Sequence, residues 1–186
     1  LAGIGGIRRF GIVYRLDKGT SGLILIAKND KSHQWLQDQF RDRKVKKIYT
    51  ALVDGQPPTP SGRIEASIGR DPSHRKRMAV LPAGKGREAI TEYFTLENLQ
   101  NHTLLNVHLL TGRTHQIRLH LAFLKCPVVG DTLYGFRHQT IPMKRNFLHA
   151  ANLSILLPGD RVPSSFEAPL PPDLREILDE LGSKNN

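Results

Sequence analysis

Apolar runs of strand length alternate along the chain with segments whose apolar residues have helical spacing. Together these segments predict one mixed α and β domain without internal repeats. The run at 23–28, "LILIAK", predicts a strand buried on both faces, because polar residues do not alternate with the apolar ones. The following "KSHQWLQDQFRDRK" predicts a helix capped near Asp30 or Ser32. One side of this helix would carry Trp35, Leu36 and Phe40.

The centre of the chain has the pattern of successive antiparallel strands. "KKIYTALVDG" predicts a strand, the turn-rich "PPTPSG" follows it, and "GRIEASIG" predicts another strand. "REAITEYFTLENL" and "TLLNVHLL" predict an antiparallel pair joined at "QNH". The intervening "RDPSHRKRMAV" resembles a hairpin arm with a basic cluster, which is either a solvated face or a contact for the phosphates of a nucleic acid. Its basic residues are Arg70, His74, Arg75, Lys76 and Arg77.

A second helix is predicted within "TGRTHQIRLHLAFLK", where Thr111 or Thr114 can act as the cap. Arg118 falls on a flank of this helix, a position that by itself predicts an exposed side chain. The apolar side consists of Ile117, Leu121 and Leu124, at i, i+4 and i+7.

The last two predicted elements are a core strand in "LHAANLSILLP" and an amphipathic helix in "PPDLREILDEL". Proline at the start of that helix suits its first turn. The inward side of the helix would comprise Leu174, Ile177, Leu178 and Leu181.

The charge of the chain favours a polyanionic partner. The 186 residues contain 27 Lys and Arg against 17 Asp and Glu, a formal net charge of +10, with an ordinary 39% of hydrophobic residues. Nucleic acid is favoured over an anionic membrane surface, because the apolar runs are only long enough for strands. We expect neither a signal peptide nor a transmembrane helix.

The cysteine and histidine positions argue against a metal enzyme. The single Cys126 excludes an internal disulfide and a multi-cysteine zinc site, and it fits a reducing compartment. His115 and His120 are five residues apart, whereas the zinc-protease pattern needs two histidines four apart with a glutamate beside the first. We expect no metal.

Asp17 lies in "YRLDKGTSGL", directly before the apolar run at 23–28. Turn chemistry alone can explain it, because its carboxylate can cap local amides while Gly19 and Gly22 tolerate positive φ. The alternative is a functional carboxylate at the entrance of a core strand. Asp131, in "VVGDTLYG", is expected to hold a turn.

Four blocks decide between these interpretations of Asp17. "GIVYRLDKGTSGLILIAKN", "KKIYTALVDG", "GRTHQIRLHLAFLKCPVVGDTLYG" and "LHAANL" closely resemble the RluA-type RNA pseudouridine synthases, in that family's order and spacing. The resemblance extends from about Gly11 to Pro158. Tyr14 stands where the family usually has histidine, which we interpret as a change in packing or RNA contact.

The resemblance implies an α+β fold, with a mixed, mainly antiparallel curved sheet flanked by helices. We expect residues 1–186 to form a single pseudouridine synthase catalytic domain. The family's domain ordinarily begins with further strands, including a Lys-Pro-x-Gly segment, whereas this chain opens with "LAGIGGIRRFG". The domain is therefore expected to be shortened at its N-terminus and to lack an S4 RNA-binding module.

Pseudouridine forms when the bond from ribose C1′ to uracil N1 breaks, the base turns, and its C5 joins C1′, so neither a redox cofactor nor an energy source is needed. The resemblance implies that Asp17 is the catalytic carboxylate, either attacking C1′ or removing the 2′ proton. It also implies that Tyr49 contacts the flipped base and helps to remove the C5 proton, and that Arg118 pairs with Asp17. Leu148 would form an apolar wall, and Arg15, Arg113, Arg75, Lys76 and Arg77 would bind RNA.

The expected function is isomerisation of specific uridines in RNA by a cytoplasmic monomer that binds neither DNA nor membranes. Ribosomal RNA is the commonest substrate of the family, and transfer RNA is the competing one. Two other classes stay open: a catalytically inactive RNA-binding module, and a glycosidase, which would need a second carboxylate about 5 to 10 Å from the first.

Overall fold

The computed structural model describes residues 11–74, 77–82 and 84–183. Within these ranges the chain forms a sheet of seven strands, a separate two-stranded hairpin and three helices. In chain order the elements are β1 (Ser21–Gly22), α1 (Asp30–Arg41), β2 (Lys46–Asp54), β3 (Ser61–Glu65), β4 (Ile68–Arg70), β5 (Met78–Val80), β6 (Ile90–Leu99), β7 (His102–Leu109), α2 (Gln116–Phe123), β8 (Leu148–Ile155), β9 (Ser164–Glu167) and α3 (Pro172–Ser183).

The main sheet is mixed and mainly antiparallel, as the sequence predicted. Its strand order is β1-β8-β2-β7-β6-β3, and β9 also pairs with β8. Only the short β1 runs parallel to its neighbour, with Ser21 opposite His149 and Gly22 opposite Ala150. This pairing brings the turn that contains Asp17 to β8, more than a hundred residues away along the chain.

The two faces of β2 are buried by different helices. Tyr49, Ala51 and Val53 belong to one apolar cluster with Ile117 and Leu121 of α2. On the other face, Leu52 clusters with Leu174 and Leu181 of α3, which confirms the predicted inward side of that helix. The sheet thus carries α2 on the face where Tyr49 lies.

The segment 23–28 is not the strand buried on both faces that its composition predicted. Leu23, Leu25 and Ala27 pack in the cluster that also contains Leu36 of α1. Ile24 and Ile26 are 45% and 51% exposed. In the described ranges the segment follows the edge strand β1, its Leu23 N–H donates to the Ala150 carbonyl at 3.0 Å, and Ile26 forms an isolated bridge with Ile12. The face that carries Ile24 and Ile26 is left to solvent.

The cap of α1 lies one residue before the predicted position, and the predicted cap of α2 was wrong. Asn29, rather than Asp30 or Ser32, caps α1, because its side-chain oxygen accepts a hydrogen bond from the Ser32 N–H at 2.8 Å. Helix α2 has no side-chain cap, since His115 precedes it in the left-handed conformation, with φ of 58°. Neither Thr111 nor Thr114 caps it.

The stretch "GRIEASIG" forms two strands rather than one. β3 pairs with β6 in the main sheet, whereas β4 leaves the sheet and pairs with β5. The basic cluster therefore lies mostly between the two arms of this hairpin and not within one arm. Asp71 organises the start of the connection by accepting hydrogen bonds from the N–H groups of Ser73 and His74. Arg75 and Lys76 lie outside the described residues.

Candidate active site

A cavity of about 460 Å³ lies where the Asp17 turn, β2, β8 and the loop before α2 meet. Five of the residues that the resemblance assigns to the site line this cavity, although they come from four separate segments. They are Arg15 and Asp17, Tyr49 on β2, Arg113 in the loop, and Leu148 on β8.

The backbone of Asp17, not its side chain, makes the turn. The Thr20 N–H donates to the Asp17 carbonyl at 3.0 Å, and Gly19 has φ of +87°. Within the described residues the Asp17 carboxylate accepts no hydrogen bond, and its nearest charged partner is Arg118, with 3.5 Å between Oδ2 and Nη1. The carboxylate is therefore free to face the cavity, with 24% of the side chain exposed.

Arg145 fixes the far side of this turn, a role that no local pattern in the sequence indicates. Its Nη1 donates to the Gly19 carbonyl at 3.0 Å and to the Ser21 hydroxyl at 3.1 Å. Its Nε and Nη2 pair with Asp173 of α3 at 2.7 and 2.9 Å. A Cβ on Gly22 would lie 2.2 Å from the Ala150 carbonyl, so only glycine allows the turn to approach β8 this closely.

Arg118 is buried, with 8% exposure, rather than on the surface as its helical position alone would predict. Its fork binds Asp131, with Nε to Oδ2 at 2.6 Å and Nη2 to Oδ1 at 2.8 Å. Burial alone would lower the pKa of Arg118, but the hydrogen bonds and charge of Asp131, together with the charge of Asp17, raise it above its usual value. The face of the guanidinium lies over Tyr134, at 5.1 Å from the ring centroid.

Asp131 does hold a turn, but it also anchors Arg118, which sequence reasoning missed. Its Oδ1 accepts hydrogen bonds from the N–H groups of Leu133 and Tyr134 at 2.9 and 3.0 Å. Burial would raise the pKa of Asp131, but the hydrogen bonds and charge of Arg118, with those two N–H groups, hold it below its ordinary value. The buried Asp131 carboxylate is therefore ionised. Because it binds Nε and Nη2 of Arg118, only Nη1 is directed at Asp17.

The side chain of Gln116 organises the loop that precedes α2. Its oxygen accepts from the Thr111 hydroxyl at 2.8 Å and from the Arg113 N–H at 2.9 Å. Its amide nitrogen donates to the Ile90 carbonyl and the Thr91 hydroxyl, both at 2.9 Å. All hydrogen-bonding positions of this buried amide are used, so the loop is tied to β6 and Arg113 is held at the rim of the cavity.

The two histidines of this region are structural rather than parts of one metal site. Nδ1 of His115 shares a hydrogen bond with the Tyr134 hydroxyl at 2.8 Å, and burial lowers the pKa of His115, so the ring is neutral at pH 7. The His120 ring bonds to Thr91 and to the Ala66 carbonyl. In the described ranges no three His, Cys, Asp or Glu side chains are grouped to hold a metal ion.

Tyr49 and Tyr14 both contribute to the cavity wall, but their hydroxyls differ. Burial and the nearby Tyr14 and Asp17 raise the pKa of Tyr49, a residue that is only 6% exposed. The Tyr14 hydroxyl donates to the Leu23 carbonyl at 2.7 Å, and its ring stacks on Phe40 at 4.9 Å. Burial raises the pKa of Tyr14 to about 12. Tyr14 is thus fixed by packing, whereas no hydrogen bond within the described chain occupies the Tyr49 hydroxyl.

Lys47 also lines the cavity and was not identified from the sequence. It precedes Tyr49 by two positions on β2, so both side chains lie on the same face of the strand. Burial, with the charge of Arg113, lowers the pKa of Lys47 to about 8. A basic residue beside a tyrosine in a strand is common, so the sequence offered no signal for this placement.

Only some of the other residues that were predicted to bind RNA lie at the cavity. Arg15 is exposed at its edge, and Nε of Arg113 donates to the Glu88 carbonyl at 2.8 Å. Arg77 lies elsewhere, along a groove of about 290 Å³ that Phe123 and Tyr134 also line.

The family model for RNA pseudouridylate synthase matches residues 4–123. The chain is 50% identical to the uncharacterized RNA pseudouridine synthase of Chloroflexus aurantiacus over 178 residues, 96% of this chain and 55% of that protein. It is 44% identical to one from Bacillus subtilis, over 97% of this chain and 59% of that protein. It is 38% identical to ribosomal large subunit pseudouridine synthase D of Zymomonas mobilis, over 100% of this chain and 60% of that protein.

Two solved human structures share the fold. RNA pseudouridylate synthase domain containing 1 superposes with a TM-score of 0.76 at 28% identity, covering 94% of this chain and 80% of that one. RNA pseudouridylate synthase domain containing 4 gives 0.75 at 25% identity, covering 92% and 75%. The chain therefore belongs to the RNA pseudouridylate synthase family. It spans between 55% and 60% of the length of the three curated relatives named above.

None of the helices in the described ranges combines the length with the apolar composition that crossing a bilayer requires.

Proposed function

We propose that this chain converts uridine in RNA to pseudouridine, with Asp17 as the catalytic carboxylate. The observation that carries the proposal is the placement of Asp17: its carboxylate lines a cavity of about 460 Å³ and lies 3.5 Å from the buried Arg118 guanidinium. Cleavage of the C1′–N1 bond builds positive charge at C1′, which an ionised carboxylate can attack or stabilise. The guanidinium places a positive charge beside the carboxylate and restricts its orientation.

Tyr49 and Leu148 would position the uracil ring. Both line the cavity, and both belong to the apolar cluster between the sheet and α2. After the base turns, C5 must lose its hydrogen, and the Tyr49 hydroxyl is free to take part in that transfer. Because its pKa is raised, Tyr49 enters the reaction as a neutral hydroxyl, which takes the C5 proton only as it releases its own proton to an acceptor such as water.

The cavity is too small for a stacked base in a duplex to reach Asp17, so the target uridine would be flipped out of its stack. Ribosomal RNA is the proposed substrate, supported by the relative named ribosomal large subunit pseudouridine synthase D. Arg15 and Arg113 at the cavity, and the basic segment that ends at Arg77, would bind the RNA backbone. We also propose that the chain acts as a monomer and that, as a modifier of ribosomal RNA, it acts in the cytoplasm.

Hydrolysis of a glycosidic bond is a weaker candidate for the same site. A glycosidase needs a second carboxylate that can act as acid or base. The carboxylate that shares Arg118 with Asp17 is that of Asp131, whose side chain is fully buried and whose oxygens are bound by the Arg118 fork. It cannot reach a substrate without breaking both hydrogen bonds.

The proposal is tested by incubating the chain with unmodified transcripts of ribosomal RNA and of transfer RNAs, followed by mapping of pseudouridines at single-nucleotide resolution. New pseudouridine at defined positions in ribosomal RNA, absent with Asp17→Asn, is the expected result. If only transfer RNA were modified, transfer RNA would replace ribosomal RNA as the proposed substrate. Tight RNA binding without any conversion would instead support an inactive RNA-binding module.

A further inference from the structure

The cavity carries more positive than negative charge. Arg15, Lys47 and Arg113 line it, and among the described lining residues Asp17 alone is acidic. Asp17 is already paired with a fourth cation, Arg118, and so does not neutralise Arg15, Lys47 or Arg113. The excess of positive charge is therefore available to an anion that enters the cavity.

Lys47 is half-buried and lacks a counter-ion among the described residues, whereas Arg15 is exposed to solvent. Its ammonium lies 5.7 Å from the Phe40 ring centroid, and a Cβ on Gly112 would be 3.4 Å from Nζ. Within the described ranges Lys47 makes no ion pair, and its ammonium has no hydrogen-bond acceptor. Removing an ammonium from water without such a partner is unfavourable, so a position of this kind favours binding of an external acceptor.

Arg113 lies beside it on the loop before α2. Gly112, the neighbour of Arg113 in the chain, lies against Nζ of Lys47, and after burial the charge of Arg113 is the next cause that lowers the pKa of Lys47. The Nε of Arg113 donates to the Glu88 carbonyl, and within the described ranges its two terminal nitrogens have no acceptor. Two adjacent cations with unused donors have the composition of a phosphate-binding site.

We propose that Lys47 and Arg113 form a phosphate subsite, which binds an RNA backbone phosphate next to the target uridine. The inference rests on the proposed function, because a nucleotide that is flipped into the cavity brings its flanking phosphates with it. The phosphate supplies the acceptor that Lys47 lacks and removes the repulsion between the two side chains. Binding of RNA then fixes the ammonium in its charged form.

A pH dependence follows from this subsite. The pKa of Lys47 in the RNA-free chain is about 8, so above that pH Lys47 is mostly neutral and RNA binding must be accompanied by uptake of a proton from the solvent. The other titratable or charged groups that line the cavity are Tyr14, Arg15, Asp17, Tyr49, Arg113 and His115. Tyr14, Tyr49 and His115 do not change charge between pH 7 and 9, because burial raises the pKa values of the two tyrosines and lowers that of His115. Burial also lowers the pKa of Arg113 from its very high ordinary value.

The test measures the Kd for an unmodified transcript of large-subunit ribosomal RNA, from pH 6.5 to 9.5 at constant ionic strength. The parent chain is compared with Lys47→Met, Lys47→Arg and Lys46→Met. Lys46 is an exposed neighbour on the opposite face of β2, and it serves as the matched control. Titration of the RNA bases affects all four proteins equally.

For the parent we expect a constant Kd up to about pH 8 and a weakening that approaches tenfold per pH unit above it. Lys47→Arg should bind tightly with no such weakening, because arginine stays charged. Lys47→Met should bind about tenfold or more weakly at pH 7, should lack the weakening, and should lose about 0.7 from the slope of log K against log salt. Lys46→Met should follow the parent.

Parent-like affinity, pH dependence and salt slope in Lys47→Met would overturn the subsite while leaving the proposed function intact. A parent chain that binds ribosomal RNA with the expected pH dependence but forms no pseudouridine would overturn the proposed activity and leave the subsite standing. A ratio of Kd values between Lys47→Met and the parent that stays the same from pH 6.5 to 9.5 would also count against the subsite, because it would show a packing defect rather than the loss of a titrating charge.

Discussion

Arg118 holds Asp131 with two hydrogen bonds, from Nε at 2.6 Å and from Nη2 at 2.8 Å. Only its third nitrogen, Nη1, is directed at Asp17, with a separation of 3.5 Å. The expected pairing of Arg118 with Asp17 is therefore an end-on contact, and the fork is used for anchoring. By binding the other two nitrogens of Arg118, Asp131 fixes the position of Nη1 beside the proposed catalytic carboxylate of Asp17.

This arrangement predicts where the stability cost of Arg118→Ala arises. The substitution leaves the fully buried Asp131 carboxylate without its partner, which costs about 3 to 5 kcal/mol in the free energy of unfolding. Asp17 contributes less, because 24% of its side chain is exposed. Urea unfolding of Arg118→Ala and of the double variant Arg118→Met, Asp131→Asn measures the difference.

The double variant should regain a large part of the lost stability, because no buried charge remains unpaired. It should stay inactive, because Nη1 is gone from Asp17. Equal destabilisation of the single and double variants would contradict the assignment of the cost to Asp131. Full activity of the double variant would show that Arg118 has no part in the reaction.

Tyr49→Phe is expected to retain RNA binding and to lose catalytic rate by a factor of about 10² to 10⁴, the usual contribution of a positioned acid or base. The ring keeps its packing in the cluster against α2, so the fold should be unaffected. Because the pKa of Tyr49 is raised, the parent rate should not change through ionisation of this hydroxyl below about pH 10. Single-turnover rates and Kd values separate the two effects, and a parent-like rate for Tyr49→Phe would remove its hydroxyl from the chemistry.

Lys47 is predicted to destabilise the RNA-free protein. Its pKa is about 8 in the folded chain against an ordinary 10.5, so between these pH values the unfolded chain binds more protons and stability rises with pH. At pH 7, Lys47→Met should therefore be more stable than the parent by an amount on the order of 2 kcal/mol, and the difference should vanish towards about pH 10.5. Urea unfolding at a series of pH values tests this, with Lys46→Met as control. If the stability advantage of Lys47→Met over the parent grew with pH, the result would contradict a lowered pKa of Lys47 in the folded chain.

The basic segment gives a prediction about salt. Changing Arg75, Lys76 and Arg77 together to alanine should reduce the slope of log K for RNA against log salt by roughly 0.7 for each phosphate of a single strand that these side chains neutralise. A variant that neutralises three exposed cations elsewhere, Lys28, Lys31 and Arg161, provides the control. Equal slopes for the two triple variants would assign the segment to a solvated surface.

The regular elements could be predicted because each depends on local pattern. The strand of Tyr49, the antiparallel pair around "QNH" and the inward leucines of α3 all follow from spacing that a single segment carries. The prediction for the segment 23–28 was wrong because its composition cannot reveal that it lies at the edge of the sheet. There, only one face is covered, and Ile24 and Ile26 stay exposed.

The candidate site was predictable only through its motifs. Asp17, Tyr49, Arg118 and Leu148 belong to blocks of recognisable sequence, whereas the groups that hold them are long-range partners. Arg145 fixes the Asp17 turn from 126 positions away, and Gln116 ties its loop to β6 across 25. No local pattern encodes such contacts, so the roles of Arg145, Gln116 and Lys47 became apparent only in three dimensions.

Asp17 is proposed to drive the isomerisation of uridine. This role is measured by the release of tritium from RNA that carries 5-tritiated uridine, because C5 exchanges its hydrogen for the bond to C1′. We expect release by the parent and by Asp30→Asn, an exposed acid in the first turn of α1, and none by Asp17→Asn despite unchanged RNA affinity. Release by Asp17→Asn at a measurable rate would contradict this role.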